Sequence, residues 1–303
     1  MTGALDLGPR TTAKLRAHLI PFLFLLYFVA YLDRVNVGFA ALDMNRDLGF
    51  SSAVYGLGSG IFFLSYTLLE VPSNLILARV GARRWIARIM LTWGVVSVAT
   101  GFVHDRTTFF VLRFLLGAAE AGFFPGIIYY LSQWFPSAER GRAVALFMTG
   151  TAMAGVIGGP VSSALLAADG AWGLRGWQWV FVGEGIPAIV LAPIVLRRLT
   201  EHPRDASWLS ADEREWLLAT LDADRADRGT GSHDLRRALT SGRLWTLAAV
   251  YFAIVLAFYG VSFWLPQIVQ AASGQSSIVV ALLSAIPYVT AAAGMVVVGA
   301  RSD

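Results

Sequence analysis

Apolar blocks close to the length of a bilayer crossing recur through this chain, at residues 19–42, 53–74, 85–104, 107–135, 143–168, 177–196, 244–268 and 277–300. A helix needs about 20 apolar residues to cross about 30 Å of hydrocarbon, and only helices or closed barrels satisfy their backbone there. The blocks hold Gly56, Gly58, Gly60, Pro72, Pro125, Pro160, Pro187 and Pro287 and show no short alternating strands. That pattern predicts membrane helices and excludes a barrel. Composition agrees: 56% of residues are hydrophobic and only 15% charged, with a mean hydropathy of +0.61, against about 25% charged residues in a soluble domain. The chain reads as an all-α integral membrane protein.

Arg10, Lys14 and Arg16 precede the first block, but no small-residue cleavage site follows, so the block is read as an uncleaved anchor. The absence of cysteine removes disulfides and thiolate metal sites. A formal net charge of +4 does not point to nucleic acid, because the basic residues are dispersed among the inter-span loops. With a cytoplasmic N-terminus, loops on that side hold 19 of the 24 Lys and Arg, while Arg46, Arg106 and Arg175 face the other side. The positive-inside rule therefore predicts a multi-pass protein with its N-terminus in the cytoplasm.

A polar stretch at about 197–243 separates six spans from two. Within it Ser210 and Glu213 make a capping box ahead of "REWLLATL". We read residues 1–196 as a six-helix N-terminal bundle, 197–243 as a cytoplasmic linker with a short surface helix, and 244–303 as the start of a second bundle. The mixed charges of the linker read as a solvated face. An echo between "NLILARVGARRW" (74–85) and the terminal "GARSD" (299–303) fits two related halves, the second stopping after two helices. The expectation is a truncated chain with some four spans missing.

Ionisable residues inside spans are Asp33, Arg34, Glu70, Arg113, Glu120 and Glu184, each a functional candidate because charge is costly in lipid. His18 to Leu32 is too short to span, so the first helix must run on through Asp33 and Arg34 and bury them. Arg113 and Glu120 are seven apart, hence on one helix face. Counted from the outer ends of their spans, Asp33 and Arg113 share a depth of roughly 10 Å, with Glu120 near the midplane. This predicts one polar site where arginines meet a carboxylate ligand and acids exchange protons; a structural ion-pair set is the plainer alternative. Glu70 and Glu184 lie nearer span ends and read as structural, Glu70 pairing with the basic loop that starts at Arg79. The glycine runs read as close-packing helix faces. No Walker loop, H-E-x-x-H or G-x-S-x-G occurs, so an enzyme is not expected, and neither a cofactor nor a metal is implied.

"YLDRVNVG" (31–38), "RFLLGAAEAGFFPG" (113–126), "GVIGGP" (155–160), "GWQWVFVGEGIP" (176–187) and "AIPY" (285–288) before "GARSD" appear in order along the whole chain. Together they resemble the major facilitator superfamily and, within it, the anion:cation symporters, whose bacterial members carry sugar acids, tartrate and phthalate. The resemblance implies twelve helices in two six-helix bundles, of which this chain supplies eight, and alternating access around a midplane site. It implies Asp33 and Glu120 as proton-coupling acids, Arg34 and Tyr31 as substrate-binding, and Arg113 pairing with Glu120 or with substrate. It also implies a gating loop built on Glu70, Gly81, Arg83, Arg84 and the repeated Asp303. Asn74 and Ala78 stand where that loop usually has glycine and aspartate.

The expected function is proton-coupled import of a small organic anion (sugar acid, dicarboxylate or aromatic carboxylate) across the inner plasma membrane by a monomer in contact with lipid. An exchanger or exporter of the same fold is the nearest alternative, and a multi-span receptor or membrane enzyme the non-transport one.

Overall fold

The computed structural model describes residues 7–227 and 240–290. These form ten α-helices: α1 Leu7–Leu48, α2 Ser52–Val80, α3 Ala82–Thr100, α4 Arg106–Glu120, α5 Phe123–Trp134, α6 Ser137–Leu166, α7 Gly176–Arg198, α8 Ala211–Asp227, α9 Gly242–Ser273 and α10 Ser277–Leu283. No strand occurs among the described residues. Short polar caps start several of them. Ser51 Oγ accepts the Val54 N–H at 3.3 Å, and Asp105 Oδ1 accepts those of Thr107 and Thr108 at 2.7 and 3.0 Å.

Six helical segments are long and apolar enough to cross a membrane: α1, α2, α4 with α5 as one crossing, α6, α7 and α9. The 19-residue α3 fails that test through Arg83, Arg84 and Arg88 in its first two turns, yet it packs between α7 and α4. The eighth expected span begins in α10 and is described as far as residue 290; residues 291–303, with Arg301 and the gating candidate Asp303, lie outside the described residues. The block 107–135 is one crossing made of two helices, broken at Ala121 and Gly122, whose φ of +86° suits glycine alone. Ser73 Oγ donates to the freed Ala121 carbonyl at 2.6 Å. This break fixes Glu120 as the last residue of α4.

Close helix approach is set by small residues, as expected where lipid offers no hydrophobic driving force. At Gly117 of α4 a Cβ would overlap the Phe62 carbonyl of α2, so any side chain there would push the two helices apart. At the end remote from α8, α9 closes on α1 and α2: Tyr55 Oη donates to the Phe263 carbonyl at 2.9 Å, and Gly38 abuts the carbonyls of Ser262 and Phe263. Nearer α8 the same helix stands away, with Trp245, Tyr251 and Phe252 exposed.

The linker helix α8 is clasped to α1. Glu213 receives Lys14 Nζ at 2.7 Å and lies 3.6 Å from Arg10 Nε, while its other role is the reciprocal capping box with Ser210. Trp208 stacks between His18 at 4.0 Å and Trp134 at 5.6 Å, and Asp224 accepts from Ser137 N at 2.6 Å. Glu213 and Asp224 therefore bind the helix bundle, while Asp222 and Arg225, exposed and paired with each other, keep the solvated character expected of the linker's charges. The Lys14 and Ser210 hydrogen bonds hold the Glu213 carboxyl below the usual carboxylate range. The clasp is therefore complete above the pH at which a free glutamate titrates and fails as pH falls through the lowered folded-state value. Glu213→Gln removes a charged bond whose lysine end is partly exposed, an effect of about 1.4 kcal/mol, so amides of α8 should exchange roughly tenfold faster with deuterium. Unchanged exchange in α8 would show that the clasp contributes nothing.

Candidate functional site

Consecutive residues on a helix point about 100° apart, and α1 uses that angle to send Asp33 and Arg34 into different surroundings. Arg34 turns toward α2, α4 and α9. Its Nη2 lies 2.9 Å from Glu120 Oε2, and its Nη1 donates to Tyr259 Oη at 3.1 Å. The guanidinium carbon sits 5.0 Å from the Tyr66 ring centroid and 5.9 Å from that of Phe62. The ion pair is thus framed by aromatic rings, and Glu120 Oε1 has no hydrogen-bond partner among the described residues.

This arginine borders a cavity of about 430 Å³ between α1, α2, α5, α6 and α9. Its wall is largely aromatic, with Tyr27, Tyr31, Tyr66, Phe124 and Phe258 among the lining residues. Arg34 is the only cation in that wall among the described residues, and Glu70 is the only acid. A cavity of this size takes a small organic molecule, and an aromatic wall with few polar groups is typical of such sites. α9 gives Tyr251, Val255, Phe258 and Tyr259 to the cavity wall, and the contacts of Tyr55 and Gly38 hold the same helix against α1 and α2 further along.

Asp33 faces α3 instead. Trp93 Nε1 donates to its Oδ2 at 2.5 Å, Ser97 Oγ donates to Oδ1, and Asn36 Nδ2 donates to Oδ1 at 3.0 Å. Only 1% of Asp33 is exposed, and no arginine or lysine forms an ion pair with it among the described residues. The expectation of a single charged cavity holding both residues is corrected by this geometry: Asp33 lies in the interior and Arg34 at the cavity. The signal available in the sequence is Trp93 and Ser97, four apart on one face of the apolar C-terminal half of α3.

Arg113 is also corrected. It shares no ion pair with Glu120, although both lie on one face of α4, and it does not line the cavity. Its Nε reaches the Gly58 carbonyl at 3.4 Å and its guanidinium carbon lies 4.7 Å from the Phe62 ring centroid, while Nη1 and Nη2 have no partner among the described residues. Phe62 therefore stands against both guanidiniums. Tyr31 lies in the wall as expected, 6.4 Å from Phe258 between centroids. Glu70 opens on the cavity and makes no ion pair with the Arg79 loop among the described residues.

At the α2–α3 junction Gly81 adopts a φ of +100°. The Glu201 carboxylate bonds the N–H groups of Ala82 and Arg83 at 2.6 and 3.1 Å, an anion at a helix N-terminus. With alanine at position 78, Glu201 is the acid serving this junction, and nothing in the sequence pattern linked it to residues so far away. Arg84 is exposed and Arg83 half-buried. Glu184 of α7, expected to be peripheral, is 3% exposed and accepts from Ser162 Oγ at 2.9 Å.

The family model of the Major Facilitator Superfamily matches residues 23–303. A "Putative tartrate transporter" of Agrobacterium vitis is 51% identical over 298 residues, covering 98% of this chain and 66% of its own length. The "Putative metabolite transport protein NicT" of Pseudomonas putida is 49% identical, covering 96% of this chain and 67% of its own length. The chain thus spans about two thirds of the length of the curated relatives it matches. Among solved structures, an inward-facing bacterial homologue of the human lysosomal transporter Spinster superposes with a TM-score of 0.76 at 21% identity, over 92% of this chain and 61% of that one. A D-xylose-proton symporter superposes with a TM-score of 0.65 at 14% identity, over 93% of this chain and 67% of that one. The fold and the sequence agree: this chain belongs to the Major Facilitator Superfamily.

Proposed function

We propose that this chain forms the larger part of a secondary transporter that moves a small organic anion with protons across the inner membrane, with its N-terminus in the cytoplasm. The observation that carries the reading is Arg34, a largely enclosed cation at an aromatic cavity, whose partner is the protonatable Glu120. A buried guanidinium that loses its counter-ion is destabilised by about 3–5 kcal/mol. A ligand carboxylate can therefore take Arg34 only as Glu120 lets go, and a proton on Glu120 is the change that releases it. Anion and proton then enter together, which is the coupling a symporter requires. Tyr31 shapes the wall beside Arg34, and Asp33 is the second proton-coupling acid. Arg113 balances charge behind Phe62, while Gly81, Arg83, Arg84 and Glu201 belong to the cytoplasmic gate. Rocking of residues 1–196 against the bundle that begins at 244 would exchange the Tyr55–Phe263 seal for a cytoplasmic one. The protein acts as a monomer in the bilayer in this reading.

Of the anion classes expected from the sequence, the cavity favours an aromatic monocarboxylate. Its described wall offers a single cation and several rings, and Glu70 would repel a second carboxylate. The tartrate-named relatives favour a dicarboxylate, and competition decides between them. Against a bound aromatic monocarboxylate such as benzoate, tartrate should displace at least about tenfold less well than a second aromatic monocarboxylate, and the reverse order would establish the dicarboxylate reading. Uptake into vesicles should collapse when the proton gradient is dissipated; continued accumulation would point to the exchanger or exporter.

Arg34→Gln should weaken anion binding by roughly a hundredfold or more, since truncating one partner of a buried charge pair costs about 3 kcal/mol. Arg113→Gln should lower the melting temperature while changing affinity less than about threefold. Titration calorimetry and thermal unfolding of the two variants check this, and an equal loss of affinity in both would return Arg113 to the ligand site.

A further inference from the structure

Behind α1, away from the cavity, lies a carboxyl that neither the expected proton pathway nor the anion site uses. Glu184 of α7 is 3% exposed. Its Oε1 accepts one hydroxyl, from Ser162 of α6 at 2.9 Å, and its Oε2 has no hydrogen-bond partner among the described residues. No cation forms an ion pair with it among the described residues. Its electrostatic neighbour is another acid, Asp33. Ser97, which donates to Asp33, packs at Gly185, the residue next to Glu184. The two acids, from α1 and α7, are thus each bonded by a serine, Asp33 by Ser97 of α3 and Glu184 by Ser162 of α6.

The charges in this interior do not balance. Asp33, Glu120 and Glu184 are acids, while Arg34 and Arg113 are the cations buried with them. Arg34 is engaged by Glu120, and Arg113 faces Phe62 and the Gly58 carbonyl. One negative charge is left over, and it falls on the acid with the poorest partners. An unpaired carboxylate taken from water into such a site costs several kcal/mol. A single proton removes that cost. Glu184 is the better seat for it, because Asp33 accepts three donors, which favour a carboxylate, and Glu184 accepts one.

We propose that Glu184 is a second proton-binding site inside the N-terminal bundle, walled off from the anion cavity and coupled to Asp33 through charge rather than through a direct hydrogen bond. The pair holds one proton, on a Glu184 oxygen, when Asp33 is ionised; taking up a second proton, on Asp33, makes both carboxyls neutral. α7 packs against α1, α3 and α6, and among the described residues these bring Asp33 as the one charged group toward Glu184. Around Asp33 the further charges are Glu120 and Arg113 of α4. The arrangement gives the bundle a proton store whose occupancy Asp33 senses without touching the substrate. This rests on the transport reading only for its use, since the proton itself is observable without any ligand.

Infrared difference spectroscopy of the purified full-length protein, recorded without substrate, tests it. A carbonyl stretch from a neutral carboxyl should be present near neutral pH and should vanish in Glu184→Gln, with the anion affinity of that variant within about threefold of the parent. In Asp33→Asn the same band should persist but titrate at lower pH, because the neighbouring negative charge is gone. The second variant also keeps the test intact should Glu184→Gln not fold. The neutral-carboxyl band surviving in folded Glu184→Gln, or its titration staying unmoved in Asp33→Asn, would overturn the proposal. An anion that fails to bind while the band behaves as described would sink the transport reading alone.

Discussion

The ion pair between Arg34 and Glu120 is held between two costs. Leaving the guanidinium buried without a partner is expensive, and so is leaving the carboxylate. The fold keeps them at 2.9 Å by ending α4 at Glu120 with a break at Ala121–Gly122 and by aiming Arg34 of α1 at that break. Much of the surrounding structure serves this placement: Gly117 draws α4 onto α2, and Ser73 satisfies the carbonyl that the break exposes. A site built in this way has one inexpensive route to change, the exchange of one carboxylate for another at the same guanidinium.

The neighbouring acid has a different fate because helix geometry turns it about 100° away. Asp33 and Arg34 look like a pair in the sequence, and span length alone places both inside the bundle, where Asp33 is buried and Arg34 partly so. Depth along a span can be counted from residue numbers, but azimuth around it cannot. Arg113 shares the depth expected of the site but lies against the Phe62 ring and is not among the residues lining the cavity. Glu184 was placed near a span end by the same counting, and its position against Asp33 depends on which face of α7 meets α1. The contact of Glu201 with the start of α3 is a meeting of segments more than a hundred residues apart, and no local pattern announces it.

What sequence periodicity and small motifs handle well is local. The capping box at Ser210 and Glu213 forms as written, and the crossings fall where the apolar blocks lie. The helix break at Gly122 and the seal of α9 on Gly38 and Tyr55 are tertiary consequences of glycines that a sequence shows only as permissive positions. They accompany a cavity with a cation and an acid on its wall, Arg34 and Glu70. On the proposed function this arrangement serves as a proton-responsive anion site rather than a static structural ion-pair set.

The exchange of carboxylates at Arg34 is most directly tested by counting protons taken up when the anion binds. Calorimetric titration of the full-length protein above neutral pH, in buffers of differing ionisation enthalpy, should show uptake of about one proton per anion in the parent. In Glu120→Gln, anion binding should persist with proton uptake reduced to near zero. Binding that takes up no proton in the parent, or an uptake that survives unchanged in Glu120→Gln, would contradict the account.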